Sequence, residues 1–276
     1  MRSLQYWSVV FAFVMCAAVM LAPSFVSAAT TADTPSHLQN FGDEPAPTIV
    51  DGVITITEAA NSLNNWVTFD RSDAGSYGVS NFSFDFLLDP TDTGPSADGI
   101  SMSYGNTANF GVDTPLASAP FTPEDPAAAG VLGFGFDTWS NQGAWDDPDV
   151  ETGSDYNEVS VFYDGALIGR INDTRLLDTP LTLDDGQWHS VTGNVDFSGA
   201  TVSLMVDGNP LFSDLNIPGL APFESRIMLA GRTGGENELA QVDNLNVEFV
   251  PEPSTGLLAV ICAAASLGFI RRRFNG

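Results

Sequence analysis

FSFDFLL, residues 82–88, sets Phe82, Phe84 and Phe86 on one side of an extended chain. Successive side chains of a strand point to opposite faces, so this alternation reads as a β-strand with one face in a core. The same period recurs along the chain. TVSLMVDG (201–208) aligns Val202, Leu204 and Val206; EVSVFYDG (158–165) alternates Val159 and Val161 with Ser160 and Phe162; DNLNVEF (243–249) aligns Leu245, Val247 and Phe249. GVITIT (52–57), GISMSY (99–104), VLGFGFD (131–137), WHSVTGNVDF (188–197) and RIMLA (226–230) complete the set. Asp164-Gly165 and Asp207-Gly208 close two of these runs with a pair suited to tight hairpins. No long amphipathic helix is visible, and ITEAANSLNNW (56–66) holds at most a short turn. Many short strands with polar loops predict an all-β, antiparallel jelly-roll sandwich.

The two ends read as targeting segments flanking that sandwich. Residues 1–29 carry Arg2, an apolar centre, VVFAFVMCAAVMLA, and small residues at Ala28 and Ala29, the pattern of a secretory signal peptide. At the other end, uncharged residues 256–270 precede Arg271, Arg272 and Arg273. This is a short transmembrane helix, barely enough for a bilayer core of ~30 Å, with its basic cluster on the cytoplasmic side. Residues 30–47, rich in Thr, Pro and Asp, read as an extended leader, 48–250 as the sandwich and 251–276 as the tail. Two long Pro-bearing loops, 89–98 and 113–130, are places where sites tend to lie.

The exported body, 30–250, has no lysine. Its bases are Arg71, Arg170, Arg175, Arg226 and Arg232, against 34 of the chain's 35 Asp and Glu residues. A nucleic acid would need a basic footprint, so it is excluded as a partner, and an anionic membrane surface is disfavoured. Divalent cations and neutral ligands remain. Both cysteines, Cys16 and Cys262, lie in the targeting segments, so the body has neither disulfide nor thiol chemistry and depends on a large buried core. Its histidines are His37, in the leader, and His189. The period of WHSV sets His189 opposite Trp188, as an outward-facing spectator. The chain is therefore read as non-catalytic.

DTWSNQGAWDDPD (137–149) follows the strand VLGFGF and precedes the strand that starts at Glu158. Ca²⁺ takes six to eight oxygens from carboxylates, amides, backbone carbonyls and water. Asp137, Asn141, one of Asp146 and Asp147, and a carbonyl supply part of such a shell. A solvated acidic turn is the alternative, because Asp and Asn are turn residues anyway.

VLGFGFDTWSNQGAWDDPD resembles the metal loop of L-type (legume-type) lectins of the concanavalin A-like class. There a strand ends in E-F-D-T-aromatic-x-N and a D-P follows. FDTWSN and Asp147-Pro148 match it. Three further stretches resemble the family in order: Ser96-Ala97-Asp98-Gly99-Ile100, Asn157-Glu158-Val159 and LAGRTGGENELAQVDNLNVEF (229–249). The pre-strand ITITEAANSLNNWVTF is similar to its first core hairpin. The resemblance implies a single Ca²⁺ held by Asp137, Asn141, Asp147 and the Trp139 carbonyl, with Asp146 the rival for the third carboxylate. It implies a sugar site formed by Asp98, Asn141, the Trp139 ring and backbone N–H groups near Gly234 and Gly235. Two departures, Gly135 for the family's first Glu and Glu158 for its His, argue against a second, transition metal. Gly135 is also expected to leave room that a Glu would have filled.

The Pro251-Glu252-Pro253 tail resembles the PEP-CTERM sorting signal. That likeness implies export across the inner membrane of a Gram-negative-type bacterium, transient anchoring there, and processing by an exosortase. The expectation is a secreted surface or biofilm-matrix protein that binds a glycan or exopolysaccharide weakly at each site. GQWHSVTGNVDFSGATVSLMVDGNPLF (186–212) also looks like the hairpin of laminin-G-like modules, so a structural or protein-binding matrix role is the alternative. A glycoside hydrolase is the lesser one: glucanases share the sandwich, but their E-x-D strand motif is absent.

Overall fold

The computed structural model describes residues 28–31, 35–71, 74–90, 95–141 and 156–250. The expected signal peptide up to residue 27, the tail, and both Asp146 and Asp147 lie outside the described residues. Among the described residues no helix is long and apolar enough to cross a membrane.

Two antiparallel sheets face each other, as the period-two runs require. The back sheet is ordered β13 (Asn209–Asn216), β12 (Thr201–Val206), β11 (Trp188–Asp196), β6 (Val79–Asp89), β15 (Leu239–Val250), β4 (Val53–Thr57) and β3 (Thr48–Val50). β1 (Ala28–Thr31) pairs with the far half of β15, through Asn246–Phe249, while β4 pairs with the near half, through Ala240–Val242. The front sheet is ordered β10 (Ala166–Ile171), β9 (Glu158–Tyr163), β8 (Val131–Asp137), β7 (Gly99–Asn106), β14 (Ser225–Arg232), β5 (Asn64–Thr68) and β2 (His37–Asn40). The turns at Asp164-Gly165 and Asp207-Gly208 have positive φ at both residues, the geometry of a tight hairpin.

The core sits between the inner faces. Phe82, Phe84 and Phe86 of β6 all point inward. Their rings meet those of β8 across the sandwich, Phe82 with Phe134 at 4.9 Å, Phe84 with Phe136 at 5.9 Å and Phe86 with Phe136 at 5.0 Å. Tilted and edge-on aromatic pairs at these distances add to the burial of large apolar area. β7, β8, β9 and β14 are buried along almost their whole length, on both faces. The loop 107–130, which starts with the helical turn α1 (Thr107–Phe110), covers their outer side. Trp66, Leu116, Phe121, Val131, Met228 and Ala230 form a second apolar cluster there. Arg226 fastens this loop. Its buried guanidinium donates to the carbonyls of Phe69, Phe110 and Thr114 and to Thr68 Oγ1.

Two expectations change. The segment read as an extended leader contributes β2, which pairs with β5 from His37↔Thr68 to Asn40↔Asn65. His189 is not an outward spectator. It is 4 % exposed, packs on Phe86 at 5.2 Å, and its ring nitrogens lie 2.7 Å from Asp207 Oδ2 and 3.2 Å from Asp185 Oδ1. Trp188 is the residue of β11 that faces out, 44 % exposed.

Since Phe86 meets the ring of Phe136 across the sandwich and that of Phe84 on its own strand, and is fully buried, Phe86→Ala is expected to lower the stability by about 3–5 kcal/mol. Urea unfolding followed by tryptophan fluorescence reads this. A loss below about 1 kcal/mol would contradict the packing described.

Candidate functional site

The antiparallel order of the front sheet sets the start of β7, the end of β8, the start of β9 and the end of β14 at one edge of the sandwich. Gly99 pairs with both Asp137 and Arg232, and Asp137 also pairs with Glu158. The residues next to these positions are Asp98, Thr138 and Thr233. Chemistry from four separate segments therefore meets at one end.

Asp98 is fixed through its backbone. It follows a cis Ala97–Asp98 peptide, its N–H donates to the Arg232 carbonyl (3.0 Å), and its carbonyl accepts from the Thr138 N–H (3.0 Å). Its carboxylate is 3.4 Å from Arg232 Nη2. Gly234 lies against the same carboxylate: a Cβ there would stand 3.2 Å from Asp98 Oδ2. Gly235 has open space around its α-carbon, and its carbonyl accepts from Asn61 Nδ2. The Gly234 N–H donates to the Glu236 carbonyl at 3.1 Å.

Asp137, 1 % exposed, closes β8. Its Oδ1 accepts from the Trp139 N–H at 2.8 Å, which curls the chain back over the strand end. Asn141 is exposed, and its side-chain nitrogen lies 3.5 Å from the Trp139 carbonyl, so amide and carbonyl face the same side of the loop. Trp139 is half-buried. Asp98, Asp137, Trp139, Asn141, Gly234 and Gly235 are thus at one edge. Among the described residues no group of three or more His, Cys, Asp and Glu side chains meets at metal-binding spacing. Asp137, the Trp139 carbonyl and Asn141 are nevertheless the hard oxygen donors that Ca²⁺ takes, contiguous on one loop, and they fit part of its shell.

Three charged residues at this edge escaped the sequence reading. Arg232 is bound by Glu124, with Nε 3.1 Å from Oε2 and Nη2 on Oε1. Burial works against its charge, but Glu124, Asp98 and Asp137 hold its guanidinium above the usual arginine range. Glu124 arrives from the Pro-rich loop 113–130 and is fully buried. It also occupies the room expected at Gly135: a Cβ on Gly135 would stand 2.2 Å from the Glu124 carbonyl oxygen and 2.6 Å from Ser160 Oγ. The space is filled by backbone, so no side chain of any size fits there.

The third is Glu238, which accepts from Ser96 Oγ and, at 3.2 Å, from Thr138 Oγ1. Burial pushes its carboxyl up to about 8; the Ser96 and Thr138 hydroxyls pull down, and the Asp184 and Asp98 charges push further up. Glu158 sits beside the site in β9, fully buried. It accepts from the Tyr156 hydroxyl and lies 3.9 Å from Arg170 Nη1.

No family model and no curated protein matches this chain. Solved structures do match. Lectin II from Ulex europaeus superposes with a TM-score of 0.55 at 15 % identity, over 81 % of this chain and 98 % of that one. Peanut lectin with a 9mer peptide gives 0.54 at 17 % identity, over 82 % and 99 %. The VIP36 exoplasmic/lumenal domain in a Ca²⁺/Man3GlcNAc-bound form gives 0.54 at 13 % identity, over 79 % and 85 %. The fold of this chain is a legume-lectin-like, concanavalin A-like β-sandwich.

Glu238 gives a pH signature. Its folded value, about 8, lies above the ordinary 4.5. The native state therefore holds a proton that the unfolded chain has released, and stability falls as pH rises between those values. Glu238→Gln is expected to remove that slope. Its gain over wild type is absent at about pH 4, grows by at most ~1.4 kcal/mol per pH unit, and levels off at about pH 9. Urea unfolding at these two pH values and at pH 7 checks this. Arg232→Ala is expected to cost about 3 kcal/mol, because it strands the Glu124 carboxylate, and Glu124→Gln is expected to recover part of that loss.

Proposed function

We propose that the sandwich is a non-catalytic, Ca²⁺-dependent carbohydrate-binding module of a protein exported to the bacterial cell surface or matrix. The observation that carries this reading is the convergence of Asp98, Asp137, Trp139, Asn141 and Gly234 at one edge, on a lectin-like fold. A sugar presents vicinal hydroxyls that both donate and accept, and a C–H face. The Asp98 carboxylate and Asn141 amide meet the former, and the Trp139 ring meets the latter. The Gly235 N–H is the backbone donor, since the Gly234 N–H is already turned to Glu236.

Asp137, Asn141 and the Trp139 carbonyl would hold the Ca²⁺, with Asp147 or its neighbour Asp146 as the further carboxylate. The cation supplies a fixed positive centre that orders the loop before the sugar arrives. Order gained beforehand lowers the entropic cost of binding. Glu158 stands where the resembled family has a His and is tied to Tyr156 and Arg170, and Gly135 replaces the family's first Glu, so one cation is the proposal. The VIP36 domain was solved in a Ca²⁺/Man3GlcNAc-bound form, and lectin UEA-II complexed with galactose. Those ligands support the class of partner, a neutral glycan or exopolysaccharide, without naming the sugar.

The signal peptide and tail complete the proposal. The chain crosses the inner membrane, is held there transiently by residues 251–276, and is released by an exosortase-type enzyme.

A glycan array with and without chelator tests this. Wild-type protein is expected to give calcium-dependent hits that Asp98→Ala and Asn141→Ala each weaken at least tenfold, about 1.4 kcal/mol or more. Hits that survive both substitutions would overturn the site. An array without hits would favour the matrix-scaffold role.

A further inference from the structure

We propose that Glu238 is a positioning residue for the sugar site: one oxygen of its buried side chain takes hydroxyls from both Ser96 and Thr138, and so fixes the spacing between the Asp98 loop and the Asp137 loop. This rests on the reading above for the purpose of the site, though not for the geometry.

The placement carries the argument. Ser96 stands two residues before Asp98, ahead of β7, and Thr138 follows Asp137 at the end of β8. Both are buried, and both β7 and β8 belong to the front sheet. Glu238 immediately precedes β15, in the back sheet. Its own carbonyl is held by Thr57 Oγ1 at 3.1 Å, and the next residue but one, Ala240, pairs with Thr57. The tie therefore crosses from one sheet to the other at the end where the site lies. A direct backbone bond already joins Asp98 to Thr138, but it leaves both loops free to tilt together away from β15. Glu238 removes that freedom.

A carbonyl-type oxygen has two lone pairs and accepts both hydroxyls at once. Ser96, Thr138 and Glu238 are almost without solvent contact, so neither hydroxyl can turn to water instead. Nothing in this role needs the negative charge. Burial first, and then the Asp184 and Asp98 charges, push the carboxyl toward its neutral form. A glutamine therefore keeps the acceptor, whereas a leucine of similar size removes it and strands both hydroxyls.

Two readouts on the purified full chain separate this from a general packing role. The first is amide hydrogen exchange at Asp98 and Thr138, whose N–H groups are bonded. The second is glycan affinity on the best array hit. Glu238→Leu is expected to speed exchange at 96–98 and 137–141 about tenfold and to weaken binding about tenfold, the loss of one to two hydrogen bonds, with residues 82–88 unchanged. Glu238→Gln is expected to keep the affinity within about threefold of wild type and, at about pH 4, where its stability matches wild type, the exchange within about threefold as well. Should Glu238→Leu fail to fold, the Ser96→Ala/Thr138→Val double variant removes the same bonds and is expected to match it. Unchanged exchange at the two loops overturns the proposal, as does exchange that rises equally in 82–88. If wild-type protein binds no glycan, the carbohydrate reading falls and the exchange result alone decides the role of Glu238.

Discussion

Arg232 is the constraint on which the acidic end of this sandwich depends. Asp98, Glu124 and Asp137 are all buried there, and Arg232 is the cation held within 3.4 Å of two of them. Taking a carboxylate out of water costs several kcal/mol unless a partner restores what is lost. Arg232 does this for Glu124 by a two-pronged contact and for Asp98 by proximity. It also fixes Asp98 through its own carbonyl, which takes the Asp98 N–H. Another buried acid at this end, Glu238, meets the same problem differently: burial pushes its carboxyl up to about 8, toward the neutral form. A body with five arginines and 34 acids can compensate few buried carboxylates by pairing, so a neutral acid is the other physical solution.

Much of the fold was legible because strands buried on one face must alternate. FSFDFLL, TVSLMVDG and DNLNVEF became β6, β12 and β15 for that reason. HLQN escaped because β2 is a short edge strand with only partial burial, so no apolar alternation is imposed on it. His189 was misjudged through a choice of phase. In β11 the inward set is His189, Val191 and Val195, while Trp188 and Ser190 face out. The period alone leaves the phase open, and the carboxylates of Asp185 and Asp207 let a histidine be buried there.

The site was legible in part. Asp98 was marked by the resemblance of its segment to the lectin family, and Asp137 and Asn141 by the oxygen donors of the loop that follows β8 together with that resemblance. Glu124 could not be found that way, because 108 residues separate it from Arg232 and it sits in a loop without periodicity. The covering of Gly135 was hidden for the same reason. Glu238 left a weak trace, an acid immediately before a strand of alternating apolar residues. Its depth follows from how β15 enters the back sheet beside β4, which only the register reveals.

Such an edge suits a neutral, hydroxyl-rich partner on a highly acidic protein. Anionic ligands meet repulsion, and a cation on the Asp137 loop would relieve the local excess of negative charge. Under the proposed role, single-site affinity for a sugar would be on the order of mM to tens of µM, and attachment would then depend on many copies displayed together. Calorimetric titration of the metal-free protein with calcium tests the central claim most directly. The account predicts binding of one ion per chain, lost in Asp137→Asn and retained in Glu158→Gln. A titration without heat at several temperatures, or one that Asp137→Asn leaves unchanged, would contradict it.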